Sequence, residues 1–262
     1  MSNPTEPSYM SWARNQFGGA RPMPAEARVL PAATGHDRHP VLASLPPDVR
    51  LAVYRRGHLR DVEAGETLGR GGGVQFILTG AVGLFPLDGS GICLRVAGPG
   101  TIVNVEELTG ADARRDLRVL VKGALLTLRG PDLAEIIGRA RADQLVIDEM
   151  LAEQAALDQE VACSALHLAP ARLARWLLRL DEVAGGADIR ITQAALAEML
   201  GVQRTSVNAA ARWLQDQGGL RFVRGRVRIL APAILEQRAC GCPTSPRLRQ
   251  GTPPSHGEAT RT

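Results

Sequence analysis

Between residues 41 and 130 the hydrophobic positions fall in short runs that end at glycines. Examples are VQFILTGAVGLF (74–85), ICLRVAG (92–98) and LRVLVKGALLTL (117–128). Apolar runs of this length, separated by glycine turns, are typical of strands in a compact β barrel or roll. The turn DGSG (88–91) lies between two of the runs and predicts a β-hairpin. We therefore interpret this part of the chain as a compact β barrel or roll.

From Pro131 onward the apolar residues are spaced three and four apart, which indicates α-helix. One predicted apolar stripe consists of Leu133, Ile137, Val146, Met150, Leu157 and Val161. A stripe of this length suits a coiled coil of about four heptads. The alternative is an ordinary core helix that packs on the roll.

Residues 191–220 (ITQAALAEMLGVQRTSVNAAARWLQDQGGL) contain two short amphipathic segments that meet at Gly201. Thr192 is the predicted N-cap of the first helix, and glycine suits a left-handed turn between the two. Ala197 and Val207 are the small and the branched residue expected where such helices cross. We interpret this pattern as a helix-turn-helix, in preference to a helical hairpin with a solvated outer face.

The second helix opens with polar side chains that a protein core does not need. Arg204, Thr205, Asn208 and Arg212 are predicted to point outward. In the major groove, arginine pairs well with guanine and asparagine with adenine. These residues are therefore candidates for contacts with DNA.

A short β pattern, FVRGRVRIL (222–230), follows and predicts a hairpin that turns at residues 224–226. Such a hairpin is the wing of a winged helix, and Arg224 and Arg226 at its tip are placed to meet phosphates. Between Leu168 and Cys240 there are eleven arginines and six acidic residues, a net charge of +5, against +4 for the whole chain. This concentration of positive charge is expected of a DNA-facing module.

Composition limits the remaining possibilities. The chain has 262 residues, 45% of them hydrophobic and 22% charged, which predicts a soluble globular protein of one large or two ordinary domains. No apolar run approaches the ~18–20 residues of a membrane span, and there is no apolar signal core, so we expect a cytoplasmic protein without membrane contact. Residues 1–40 and 243–262 are rich in Pro, Gly and Ser and are predicted to be a disordered arm and tail.

From about residue 41 to residue 242 the chain resembles the CRP/FNR family of bacterial transcription regulators. The motifs that carry the resemblance are HPVLASLPPDVRLAV, DVEAGETLGRGG, FILTGAVGLF, GPGTIV, ARLARWLLRL, ITQAALAEMLGVQRTSV, RGRVRIL and LEQRACGC. It implies an α+β fold with a cyclic-nucleotide-binding-like β-roll (41–130), a long dimerisation helix (131–167) and a C-terminal winged helix-turn-helix (168–242).

The resemblance also implies which residues lie against DNA. These residues are Thr192, Gln193, Arg204, Thr205, Ser206 and Asn208. Ala209 stands where the best-known members carry an arginine that reads a base, so the operator is expected to differ from theirs. For the Leu133–Val161 stripe we favour a homodimer seam, because a DNA-binding domain with one small recognition element needs two half-sites. The expected partners are double-stranded DNA, a second copy of the chain and RNA polymerase.

The effector is not specified by the sequence. Family members that hold a cyclic nucleotide carry Gly-Glu followed by Arg-Ser or Arg-Thr. The corresponding stretch, GPGTIVNVEELTGADARRDLRVLV, supplies Glu106, Glu107, Arg114 and Arg115 without that motif. We interpret the four residues as a solvated charge cluster. A diverged cassette for a cyclic nucleotide remains the alternative.

Other chemistries have weaker support. The cysteine nearest the N-terminus is Cys93, so an iron–sulfur site in the N-terminal arm is rejected, and isolated histidines do not indicate haem. GRGGG (69–73) lacks the ending of a phosphate loop. Cys240-Gly241-Cys242 without a partner ligand is weak evidence for a metal or redox site. We therefore expect no catalysis, cofactor or metal, the less favoured alternative being an enzyme with an accessory winged helix.

Overall fold

The computed structural model of the chain describes residues 39–69 and 71–242. Almost all of the predicted arm and tail lies outside these residues. The exceptions are His39 and Pro40, which belong to the folded part. His39 is buried, its ring packs edge-on against Phe76 with the centroids 5.3 Å apart, and its Nε2 lies 3.4 Å from the carbonyl oxygen of Thr101. The folded part therefore begins before residue 41.

Within residues 39–69 and 71–128, eight short strands are formed. They are β1 (His58–Val62), β2 (Thr67–Leu68), β3 (Val74–Ile77), β4 (Ala81–Phe85), β5 (Arg95–Ala97), β6 (Ile102–Val103), β7 (Asp116–Val121) and β8 (Gly123–Leu128). They make two antiparallel four-stranded sheets, ordered β1-β8-β3-β6 and β2-β7-β4-β5. The predicted hairpin around DGSG is the β4–β5 pair, which confirms that prediction.

Alternation along the strands divides the core into layers. Leu125 packs between the two sheets, whereas its neighbour Leu126 faces outward to the helices that cover the first sheet. On β4, Val82 packs between the sheets, and Phe85 faces the C-terminal half of the chain. Successive strand side chains point to opposite faces, so both outer faces need cover. Helices cover one face and the winged helix covers the other.

The helices that cover the first sheet flank the roll in sequence. They are α1 (Pro40–Ala43), α2 (Pro47–Arg56), α3 (Gly130–Ile137) and α4 (Arg139–Leu166), with a 3-10 turn at Val105–Thr109. The predicted single apolar stripe is broken between α3 and α4 at Gly138, whose φ of 82° ends the first helix. Leu133 is buried against the roll and Val146 packs on the same cluster, while Met150 and Val161 are exposed. The core-helix alternative is thus correct for the N-terminal part of the stripe.

The C-terminal half is a winged helix. It consists of α5 (Ala169–Ala184), β9 (Ile189–Arg190), α6 (Gln193–Leu200), α7 (Arg204–Asp216), β10 (Leu220–Val223), β11 (Arg226–Ile229) and α8 (Pro232–Arg238). The strands form an antiparallel sheet ordered β10-β11-β9. The wing begins at Leu220, two residues before the predicted start.

The winged helix and the roll share one hydrophobic cluster. Phe85 and Val96 of the roll pack in the same cluster as Leu177 of α5 and Leu196 of α6. The backbone N–H of Cys93, in the β4–β5 loop, donates to the carbonyl of Met199 over 2.9 Å. The outer face of the second sheet is therefore buried against the winged helix, and the two halves of the chain pack directly on each other.

Within the described part of the chain, no helix is both long and apolar enough to traverse a lipid bilayer.

Candidate nucleic-acid interface

The helix-turn-helix forms as its local sequence predicts. The Oγ1 of Thr192 accepts a hydrogen bond from the N–H of Ala195 over 3.0 Å, so Thr192 caps α6. Gly201 takes the left-handed conformation, with φ 62°, that most other residues avoid. Ala197 and Val207 are buried where α6 and α7 pack together. The predicted cap, turn and crossing residues are all confirmed.

Helix α7 has one buried face and one polar face. Val207, Ala210 and Leu214 are buried in the shared cluster. The predicted reading residues Arg204, Thr205, Asn208 and Arg212 are exposed, Ala209 is exposed with them, and Ser206 is partly exposed. The buried residues fix the rotation of the helix, and that rotation presents the polar side chains to solvent.

A groove of about 400 Å³ runs between the start of α6, the start of α7 and the wing. It is lined by Thr192, Gln193, Ala194, Arg204, Phe222, Val223, Arg224 and Gly225. The fold thus brings predicted contact residues from three separate elements to one concave surface. Arg204 lies where the groove meets the exposed face of α7.

The wing tip is a two-residue turn at Arg224 and Gly225, whose φ angles are 48° and 75°. Positive φ at both central residues is typical of the tight turns that match the twist of a hairpin. Arg226 is not at the tip: it begins β11, paired with Val223 on one side and Arg190 on the other. Its side chain is still exposed, next to the tip.

Several arginines of the winged helix do not face the groove. Arg175 and Arg179 are buried, and both guanidinium groups pair with the carboxylate of Glu160 on α4. Arg228 pairs with Asp188 at 2.6 Å. Because Arg175 and Arg179 are buried against an acid outside the counted range, the net charge of +5 overstates the charge available to DNA. Exposed arginines include Arg204 and Arg212 of α7 and Arg224 and Arg226 of the wing.

Three of the four weak effector candidates, Glu106, Glu107 and Arg115, make side-chain contacts within the protein. Glu106 accepts a hydrogen bond from the backbone N–H of Arg114 over 2.8 Å, and Glu107 accepts one from Gly73 over 3.1 Å. Burial raises the pKa of Glu107. Arg115 pairs with Glu153 of α4 at 3.4 Å. The pair between Arg115 and Glu153 ties the roll to α4, while Arg114 is exposed and the other three candidates are partly exposed.

A small cavity lies between these residues and α4. Glu106, Arg115, Glu149 and Glu153 contribute to its lining, together with apolar residues of the roll. Its volume of about 10 Å³ is at the lower limit for a single water molecule. In this conformation the cavity does not accommodate a nucleotide.

Helix α4 is apolar on two sides. Ala142, Leu145, Ala156 and Cys163 are buried against the rest of the protein. On the other side Ile147, Met150, Leu151 and Val161 are exposed, Met150 by 42% and Val161 by 67%. The spacing of Ile147, Met150 and Val161 fits the a and d positions of a heptad repeat, with partly exposed Leu157 at another d position.

Comparison with known proteins bears on both halves of the chain. Residues 171–238 match the family model described as the Crp-like helix-turn-helix domain. A comparison with proteins of curated function finds no match.

Solved structures share the architecture over nearly their whole length. A transcriptional regulator of the CRP/FNR family from Eubacterium rectale has a TM-score of 0.60 at 16% identity, covering 76% of this chain and 97% of its own. A CRP/FNR-family regulator from Thermus thermophilus has a TM-score of 0.53 at 22% identity, with coverages of 69% and 97%. FixK2 from Bradyrhizobium japonicum has a TM-score of 0.54 at 16% identity, with coverages of 70% and 98%. At these identities the similarity shows a shared fold.

Proposed function

We propose that this chain, a CRP/FNR-type regulator by its fold and its Crp-like helix-turn-helix domain, binds specific DNA sequences and thereby regulates transcription. The observation that carries the proposal is the exposed polar face of α7, which adjoins a groove bounded by the wing. A helix of this size fits the major groove of B-form DNA, whose base edges present distinct patterns of donors and acceptors.

Each element of the interface has a role in this proposal. Arg204 and Asn208, on the first turns of α7, read base edges, with Thr205, Ser206 and Arg212 beside them. Thr192 and Gln193 at the start of α6, and Arg224 and Arg226 at the wing, hold the phosphate backbone. Backbone contacts fix position and base contacts give specificity, so both sets are needed.

The functional form is a homodimer on a palindromic operator. The exposed apolar side of α4 supports this proposal, because a row of large apolar side chains in water favours burial against a second copy. Two copies related by a twofold axis would present two copies of α7 to two half-sites. A further contact with RNA polymerase would turn DNA binding into regulation.

The ligand of the roll differs from a cyclic nucleotide in this proposal, or the roll has none. The supporting observations are the absent Gly-Glu and Arg-Ser motif, the internal pairing of Arg115 with Glu153, and the cavity of about 10 Å³. No catalytic step is part of the proposal.

Two matched substitutions on α7 test the DNA-binding face. Thr205→Glu places a carboxylate on the face proposed to meet DNA, and Gln217→Glu makes the same charge change at the exposed far end of the helix. In fluorescence-anisotropy titrations with duplex DNA, Thr205→Glu is expected to weaken binding at least about tenfold through like-charge repulsion, and Gln217→Glu much less. Equal effects of the two substitutions would refute the proposed face.

A further inference from the structure

The fold brings three cysteines together from distant parts of the chain. Cys163 lies in the last turn of α4, and Cys240 and Cys242 follow α8 at the end of the winged helix. The three Sγ atoms lie within 4.8 Å of one another, and those of Cys163 and Cys240 are 3.6 Å apart. All three cysteines are free; Cys163 is buried, and the other two are partly exposed.

The 3.6 Å separation of the Cys163 and Cys240 sulfurs is that of two thiolates on one metal ion, and all three sulfurs, within 4.8 Å, are near enough to close around one ion. With Zn–S bonds of about 2.3 Å, two sulfurs of a tetrahedral site are about 3.8 Å apart. No fourth histidine, cysteine or carboxylate joins the cluster among the described residues. Three protein ligands would leave the fourth position of the metal to solvent or to an added ligand.

The electrostatic surroundings also suit a bound metal. Arg175 and Arg179 pair with the single carboxylate of Glu160, and Arg95 also acts on Arg179, so the neighbouring charge is positive. Burial lowers the pKa of Arg179 to about 10, so it still carries its charge at neutral pH. Zn²⁺ with three thiolates has a net charge of −1, the sign that positive surroundings favour.

Arg175 offers a specific contact to such a site. Its guanidinium is close enough to Cys163 and Cys240 for their charges to interact. Arg175 is only 4% exposed, so its Nε is out of reach of solvent, and this Nε has no hydrogen-bond partner in the protein. A metal-bound thiolate would be an acceptor for this N–H, and a buried donor without an acceptor is costly.

We propose that Cys163, Cys240 and Cys242 form a Zn²⁺ site that fastens the end of the winged helix to α4. On binding, each thiol releases its proton to solvent and three Zn–S bonds form, with no change of oxidation state. The only direct covalent link between α4 and the winged helix is the extended His167–Leu168 connection. The metal would add a second attachment between the winged helix and α4, and would thereby limit the movement of the winged helix relative to α4.

The test uses the full-length, untagged, fully reduced protein and Zn²⁺ as the probe. We expect one Zn²⁺ per chain and, at about a hundredfold excess over Kd, a rise in melting temperature of about 5–10 °C. Replacing Zn²⁺ by Co²⁺ should give the thiolate-to-cobalt charge-transfer absorption of a sulfur-rich tetrahedral site. Reduced protein that binds no Zn²⁺ would overturn the proposal.

Variants assign the ligands. Cys163→Ser and Cys242→Ser should each lower Zn²⁺ affinity more than about 100-fold. Loss of a residue that only hydrogen-bonds to a metal ligand lowers affinity by at most about that factor. Cys242 is partly exposed, so its variant remains informative if loss of the buried Cys163 prevents folding. Cys93→Ala is the matched control, since Cys93 is a buried cysteine outside the cluster, and it should retain the metal.

The competing chemistry is a disulfide between Cys163 and Cys240. Their Sγ atoms are 3.6 Å apart, and both cysteines are free thiols. Mass spectrometry of air-exposed protein would detect a disulfide by the loss of two hydrogens. If this disulfide forms and the reduced protein has equal Zn²⁺ affinity with and without Cys242, the cluster is a redox pair and the metal proposal is wrong.

Discussion

Arg204 and Arg226 have the same charge but different positions on the winged helix. Arg204 begins α7 and lines the groove, so its guanidinium can reach the two acceptors of a guanine. Arg226 begins β11 beside the wing tip, where only phosphate is expected. We predict that Arg204→Ala lowers the ratio of operator to random-DNA affinity tenfold or more (~1.4 kcal/mol) and relaxes one base position per half-site.

Arg226→Ala is the matched comparison. It should leave the affinity ratio nearly unchanged and reduce the slope of log K against log salt by about one unit per lost contact. Both side chains are exposed, so both variants should melt within a few degrees of wild type. If Arg204→Ala weakens operator and random DNA equally, Arg204 is a phosphate contact and the assignment of reading residues is wrong.

Residues with local partners were predictable from sequence, and residues with distant partners were not. Thr192 caps an amide three residues away, and Gly201 sits in a turn set by its own backbone. Cys163 and Cys240 are 77 positions apart, and their sulfurs meet because α8 packs on α5 and the backbone N–H of Cys240 donates to the carbonyl of Ala171 at the start of α5. The same holds for Arg175, whose burial against Glu160 depends on how α5 packs on α4.

At the scale of elements, α4 has two different apolar faces. One is buried against the roll and the winged helix, and the other exposes Ile147, Met150, Leu151 and Val161. We predict that Met150→Asp gives a monomer by light scattering and abolishes operator binding, because a buried carboxylate in the seam has no partner. Ala155→Asp adds the same charge at an exposed position off the seam and should remain dimeric. A dimeric Met150→Asp protein with full DNA affinity would refute the seam.

The periodicity of apolar residues predicted this helical region but not its division. The periodicity shows which positions are apolar, but it does not show whether they pack on the roll or on a second copy of the chain. Gly138 interrupts the helix, and the residues before and just after it pack on the roll. The helix-turn-helix followed its local pattern, and the wing begins two residues before its predicted start. The strand within 92–98 begins only at Arg95, and the first strand begins at His58, ahead of the stretch DVEAGETLGRGG (61–72). The contact of the β4–β5 loop with α6 needed the tertiary structure.

At the scale of the whole molecule, the roll, α4 and the winged helix meet through shared contacts. A ligand that moved α4 relative to the roll would have to break the pair between Arg115 and Glu153. The cavity beside this pair has about 10 Å³ and is lined by three carboxylates against the single guanidinium of Arg115, a balance that disfavours a cyclic phosphate. We predict that millimolar cyclic AMP changes DNA affinity less than about tenfold, or ~1.4 kcal/mol. A larger change would mean that Glu106, Glu107, Arg114 and Arg115 form a diverged cassette.

The central claim is that two copies of one reading helix recognise a symmetric DNA sequence. Selection of bound sequences from a random duplex pool tests it most directly. We predict enrichment of one palindrome whose half-sites are centred about one helical turn apart (~34–36 Å), the spacing common to helix-turn-helix dimers. Recovery of no motif, or of a single half-site without its symmetric partner, would contradict it.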